Sequence, residues 1–283
     1  MTQLGAVASA VLELLERRQR GALATVVRVS GSTPQQVGAR LLLREDGTLL
    51  GTVGGGAIER VVLEALGRAL GCERAELLTR ELTHDLGMCC GGRMDIFVEP
   101  IVPPPRLWLL GAGHVAKPTA ALSLSVGFEV HVVDEREELN TPERFPGCQL
   151  HLDDPSDVGT RITLDAGDWV VIATHDHQLD ERALASASQS GARYVGLVGS
   201  KRKVLRLVER VRLRRGEELP LEGLYAPIGL DIGAVTPEEI AVSIVSELVA
   251  LRRGRPASHL RVLPQPTSCE GTGPGDERYD EQR

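Results

Sequence analysis

Gly87-Met88-Cys89-Cys90-Gly91-Gly92 sets two neighbouring thiols in a stretch bounded by glycines. Thiolates are soft ligands that suit molybdenum, copper or zinc, and glycines let a bulky ligand come close to the backbone. His84 could add one ligand, but a structural zinc site needs four and no CxxC partner accompanies the doublet. Taken alone, Cys89 and Cys90 read equally well as ligand-binding thiols and as free or packed ones.

A second candidate is Gly111-Ala112-Gly113-His114-Val115-Ala116, a GxGxxA turn between an apolar run and a helical pattern. In such a turn the first glycine permits the tight bend, the second lets phosphate approach, and the helix N-terminus attracts the anion. Asp134 closes the next apolar strand, roughly 20 residues on, where a carboxylate can bind ribose hydroxyls. The set points to a nucleotide-like ligand bound through Gly111, Gly113, His114 and Asp134. The competing reading is a tight strand-to-helix turn with a loop-capping aspartate. Gly54-Gly55-Gly56 precedes another helix and offers the same unshielded N–H groups; Glu59 either caps that helix by reaching back to the Gly56 N–H or faces away from a bound anion.

Two further segments fall at expected strand ends, where open parallel sheets bind ligands. In Thr174-His175-Asp176-His177 the histidines alternate and could share a side if the strand continued, although solvated or hydrogen-bonded histidines are the plainer reading. Gly199-Ser200-Lys201-Arg202-Lys203 is a small-residue turn entering a helix, and Ser200, Lys201 and Arg202 form a candidate phosphate subsite. Arg206, Arg210, Arg212, Arg214 and Arg215 continue the charge along what reads as a solvated helix face.

The elements that must hold these residues fall into two sets. Leu4, Val7, Val11, Leu14 and Leu15 recur at helical spacing, and ALATVVRVS reads as a strand. ARLLLRE and TLLGTVG flank Asp46-Gly47 and predict a hairpin. A helix over 57–69, a strand over 76–82 and the strand RMDIFVEP complete an α+β domain over residues 1–100. PIVPPP, with few N–H donors, suits a linker. Beyond it, apolar strands alternate with helices, which predicts a Rossmann-like parallel sheet over residues 106–255. Thr236-Pro237-Glu238-Glu239 signals the start of its last helix. Residues 256–283 are polar, rich in Gly and Pro, and read as a disordered tail. The fold class is α/β.

Composition narrows the function. A formal net charge of −7, with two Trp, three Tyr and three Phe, leaves neither a basic footprint nor ring platforms for nucleic acid. No stretch has the length and apolarity of a membrane span, and the first residues lack a signal-peptide pattern, so the expectation is a cytoplasmic protein. Five cysteines without repeated spacing argue against a disulfide framework. The GxGxxA turn and Asp134 keep an NAD(P)-dependent oxidoreductase as the rival, though no acid/base constellation accompanies them.

In order, GSTPQQVGARLLL, GTVGGGAIE, GMCCGGRMDIFVEP, LLGAGHVA and APIGLDIGAVTPEEIAVSIVSELVALRRG resemble their counterparts in the XdhC/CoxI family, accessory factors of xanthine dehydrogenase-type enzymes, over residues 10–255. The resemblance implies an XdhC/CoxI-type domain followed by a Rossmann domain. It implies a cofactor chaperone without turnover of its own. Such a chaperone binds molybdenum cofactor, holds it while a cysteine desulfurase helps exchange an oxo for a sulfido ligand, and passes it to a xanthine dehydrogenase-type apoenzyme. The family's cofactor-associated cysteine corresponds to Cys89 or Cys90. A homodimer stays open, as does the client, because paralogues serving other molybdenum hydroxylases share the pattern. One departure stands out: family members often carry a basic residue after the STP element, whereas this chain has Gln35 and Gln36, with Arg40 the nearest cation.

Overall fold

The computed structural model describes residues 3–82, 91–157, 162–215 and 223–260. The chain separates into two compact units, Met1–Pro105 and Arg106–Arg283. From residue 261 onward the expected tail lies outside the described residues, as do His84 and the Cys89-Cys90 doublet.

In the first unit the elements run α1 (Gln3–Glu16), β1 (Gly21–Ser30), β2 (Arg40–Arg44), β3 (Leu49–Gly51), α2 (Gly56–Cys72), β4 (Glu76–Glu81) and β5 (Arg93–Ile101). The strands form one antiparallel sheet in the order β3-β2-β1-β5-β4. The hairpin between β2 and β3 turns at Asp46-Gly47: Gly47 has φ 84°, and the Thr48 N–H donates to Asp46 Oδ1 at 2.9 Å. Alternation along the strands gives each sheet face its own helix. Ala22, Ala24, Val26, Met94, Ile96 and Val98 meet Ile58, Val62 and Leu66 of α2. On the opposite face Leu42 meets Val7, Ala10 and Leu14 of α1.

The second unit runs β6 (Arg106–Leu110), α3 (Ala116–Ser125), β7 (Glu129–Val133), β8 (Gln149–His151), β9 (Trp169–Ile172), α4 (His177–Ala187), β10 (Tyr194–Leu197), α5 (Lys201–Arg215), β11 (Leu224–Tyr225) and α6 (Pro237–Arg252). All strand pairs are parallel, in the order β11-β10-β9-β6-β7-β8. Numbered from β6, this is the 3-2-1-4-5-6 order of a Rossmann sheet, with its switch point between β6 and β9. The α/β expectation holds: an antiparallel sheet comes first and a parallel one follows. Helices α4 and α5 bury Leu184, Leu207 and Val211 on one face, against Val170, Ile172, Val195 and Leu197. Helices α3 and α6 bury Ala116, Ala120, Ile244 and Leu248 on the other, against Leu107, Leu109, Val130 and Val132. Helix α6 starts with the expected reciprocal cap, Glu239 N–H to Thr236 Oγ1 and Thr236 N–H to Glu239 Oε2, with Pro237 in its first turn.

One polar cluster interrupts the apolar faces. His131 stacks on Trp108 at 4.1 Å, shares a 3.0 Å hydrogen bond with His151, and lies 3.2 Å from Glu129 Oε1. Burial pushes the His131 pKa down to about 4, and the neighbouring Glu129 carboxylate opposes that shift only in part. Unfolded, the same imidazole protonates near 6.5, so between those values the unfolded chain binds a proton that the folded chain excludes. Unfolding free energy is therefore expected to fall by up to about 2–3 kcal/mol as pH drops from 6.5 to 4. Denaturant titrations across that range check this: His131→Phe should show a shallower fall than the wild type, and parallel curves would contradict it.

Candidate functional site

Three of the glycine-rich stretches meet at one edge of the first unit. Gly31 has φ 69°, and a Cβ built there would sit 3.1 Å from Gly92 Cα and 3.2 Å from the Gly91 carbonyl oxygen. At Gly92 a Cβ would run into the carbonyls of Ser30 and Ser32 and the Thr33 methyl. Gly54 packs as tightly: its Cβ would come within 2.6 Å of Pro34 Cγ. The STP segment, the Gly54–Gly56 turn and the end of the cysteine-bearing stretch are thus neighbours, with Ser32–Pro34 between the other two. Leu82 N–H donates to the Gly92 carbonyl at 2.9 Å, so the two ends flanking residues 83–90 are tied together.

The glycine turn itself is held by Thr52 and Glu59. Thr52 Oγ1 donates to Glu59 Oε2 at 2.6 Å and accepts the Gly54 N–H at 3.1 Å, while the Gly55 N–H donates to Glu59 Oε2 at 3.2 Å. The sequence placed this bond at Gly56; the helix cap is Gly55, one residue earlier. Gly55, at φ 69° and ψ 179°, occupies a region essentially restricted to glycine. A Cβ on Gly55 or Gly56 would meet nothing within 4 Å, so both present open backbone at the positive end of α2. Arg40 turns back on its own turn, donating to the Gly38 carbonyl at 3.3 Å. Arg28 and Arg93 instead flank the buried Asp95, at 3.5 and 3.6 Å, with Arg93 paired in register to Ser30. Sequence reasoning passed over both arginines, although alternation in RMDIFVEP was a signal that Arg93 and Asp95 share a face.

In the second unit the carboxyl ends of β6 and β9 border a cavity of about 400 Å³, walled by Gly113, Arg136, Arg144, Thr174, His175 and Lys203 among others. His114 is exposed at its edge. A second cavity, about 420 Å³, follows α5 past His177, Ser200, Arg202, Lys203, Arg206 and Arg210. The chain's own donors already take up Asp134, which is 1% exposed. Its Oδ2 accepts from the Ala112 N–H at 2.7 Å and Arg136 Nη2 at 2.6 Å; its Oδ1 accepts from Arg136 N–H at 3.0 Å and Nε at 2.8 Å. Burial alone would raise its pKa, but the Arg136 and Ala112 hydrogen bonds bring it below the usual carboxylate value. With two bonds on each oxygen, the carboxylate has no lone pair directed at a ribose.

Lys203 likewise turns inward, 2.7 Å from Asp180 Oδ2 and 3.3 Å from the Val198 carbonyl. Asp180 also accepts the Thr174 N–H and Oγ1–H, which ties the end of β9 to α4 and α5. Ser200 Oγ accepts the Lys203 N–H at 3.2 Å, so the hydroxyl helps start α5. Lys201 is exposed and belongs to the walls of neither cavity. Strand β9 ends at Ile172, and Asp176 caps α4 by accepting the Gln178 and Leu179 N–H groups. His175 and His177 consequently face different cavities, and no group of three His, Cys, Asp or Glu placed to hold a metal occurs among the described residues. No helix of the described residues is long and apolar enough to cross a membrane.

The two units match known families separately. Residues 14–80 match the XdhC and CoxI family, and residues 107–248 match the XdhC Rossmann domain. The uncharacterized protein YqeB of Escherichia coli (strain K12) is 34% identical over 241 residues, 83% of this chain; the chain spans only 44% of YqeB. A Bacillus subtilis (strain 168) protein named as a probable xanthine dehydrogenase subunit is 27% identical over 85% of this chain and 96% of its own length. The molybdenum cofactor insertion chaperone PaoD of Escherichia coli (strain K12) is 23% identical over 85% and 86%. A crystal structure described as a xanthine dehydrogenase from Bacillus halodurans shares the fold, with a TM-score of 0.51, 23% identity and coverage of 92% of this chain and 98% of that one.

The two glycines of the GxGxxA turn should separate on mutation. Gly111 has φ 114°, and a Cβ there would run into the Ala173 carbonyl; Gly113 has a negative φ and its Cβ would find that oxygen only at 3.9 Å. Gly111→Ala is expected to cost about 1–3 kcal/mol or more of stability, and Gly113→Ala less than about 1 kcal/mol. Chemical denaturation of both variants checks this, and equal losses would contradict it.

Proposed function

This chain belongs to the XdhC and CoxI family, and from that premise we propose that it binds molybdenum cofactor, supports its sulfuration and delivers it to a xanthine dehydrogenase-type molybdenum hydroxylase. The observation that carries the reading is the convergence of the STP segment, the Gly54–Gly56 turn and Gly91-Gly92 in the first unit. The exposed backbone of Gly56, at the N-terminus of α2, suits the phosphate of the cofactor, while the Gly55 N–H is already held by Glu59. Leu82 and Gly92, on either side of residues 83–90, are tied together at this edge. A soft thiolate from Cys89 or Cys90, which lie outside the described residues, suits the molybdenum end. Glu59 reduces the positive potential of the turn, and Arg28 and Arg93 are paired with Asp95.

Sulfuration requires a sulfur donor, for which a cysteine desulfurase is the proposed partner, and the client is a xanthine dehydrogenase-type apoenzyme. The relatives whose names refer to xanthine dehydrogenase and to cofactor insertion support this assignment. An oxidoreductase reading would need Asp134 for a ribose diol, and that carboxylate is occupied by Ala112 and Arg136.

Replacing both thiols tests the proposal. After co-expression with the cofactor pathway, Cys89→Ser/Cys90→Ser should carry severalfold less molybdenum and pterin per polypeptide, with an unchanged thermal midpoint. Full retention by the folded double variant would overturn the thiol role.

A further inference from the structure

The two cavities of the second unit adjoin at Lys203, and no carboxylate lines either one. Two of their cations are already balanced: Arg136 by Asp134 and Lys203 by Asp180. Four are not. Arg144, Arg202, Arg206 and Arg210 form no ion pair with any described carboxylate, in a chain whose net charge of −7 leaves acidic side chains in excess. Arg144 is nevertheless fixed. Its Nη2 donates to the Ala112 carbonyl at 3.1 Å, its guanidinium sits 5.9 Å from the Phe145 ring centre, and its Nε is buried with no partner. Partial burial of a cation is costly, and among the described residues Arg144 finds no counter-charge, which suits it to an anion entering the cavity. On α5, Lys203, Arg206 and Arg210 recur on one face, and Arg202, Arg206 and Arg210 stand four residues apart, a like-charge spacing that destabilises a helix unless an anion bridges it.

We propose that this trough binds an oligophosphate chain, one end at Gly113 beside Arg144 and the other along Arg202, Arg206 and Arg210, as in a nucleoside triphosphate. Each cavity has the size of a small-ligand site, and their junction at Lys203 lets successive phosphates pass from one to the other. The open backbone at Gly113 accepts close approach of the first phosphate. This site is distinct from the cofactor site proposed for the first unit.

Titration calorimetry of the full-length protein with adenosine, AMP, ADP, ATP and inorganic tripolyphosphate tests it, at low and moderate salt. Affinity should climb at least about tenfold from AMP to ATP, fall as salt rises, and be absent for adenosine. Arg206→Gln/Arg210→Gln, at two exposed positions, should bring ATP down to the affinity of ADP or AMP, whereas Arg144→Gln should weaken every phosphate-bearing probe. Tripolyphosphate binding as tightly as ATP would make an inorganic chain the ligand, and weaker binding would make it a nucleotide; either upholds the site. Equal affinities for AMP and ATP, or unchanged ATP binding in both folded variants, would overturn it.

Discussion

Gly92 has no room for a side chain. The carbonyls of Ser30 and Ser32 and the methyl of Thr33 occupy the space a Cβ would need, and the Gly92 carbonyl accepts the Leu82 N–H. These contacts hold Leu82 and Gly92, the described residues on either side of 83–90, against each other and against the STP segment. They also bring the start of β5 against the end of β1, in the register that pairs Ser30 with Arg93. The Gly54 turn is set against Pro34 by the same kind of contact, and Thr52 and Glu59 hold that turn open at Gly55 and Gly56. The proposed cofactor site therefore depends on backbone packing more than on side-chain chemistry.

Buried charges order the second unit. Arg106 holds the fully buried Asp168 through two 2.7 Å hydrogen bonds and anchors the start of β6 to the turn before β9. Asp134 joins the turn after β6 to the end of β7, and Asp180 joins the end of β9 to α4 and α5. Removing one member of such a pair leaves an uncompensated buried charge, so these contacts specify the loop geometry at the carboxyl edge of the sheet. They also leave a small set of cations unbalanced around the cavities, and the proposed anion trough rests on that remainder.

Much of this was legible in the sequence wherever a feature is local. Asp46-Gly47 fixed the hairpin through backbone conformation, and Thr236 with Glu239 fixed the start of α6 through a reciprocal cap. Continuous apolar runs between helical segments located the main parallel strands, and the GxGxxA turn fell between β6 and α3 as read. What depends on tertiary placement was not legible. Asp134 reads as a ribose ligand until Arg136 and the Ala112 N–H are seen on its oxygens. Nothing in the turn Gly199–Lys203 foretells that Lys203 pairs with Asp180, and Arg144 has no signal at all because its role follows from proximity to Ala112. The two-residue strand β11 is too short to announce itself by periodicity.

The most direct test of the central claim is transfer. The purified protein, loaded with sulfurated molybdenum cofactor by co-expression, is mixed with a cofactor-free xanthine dehydrogenase-type apoenzyme, and hydroxylase activity is followed together with pterin content of each protein. The account predicts that activity appears in the client as pterin leaves this chain, in matching amounts and without added free cofactor. Cofactor that never associates with this chain, or that stays on it while the client remains inactive, would contradict it.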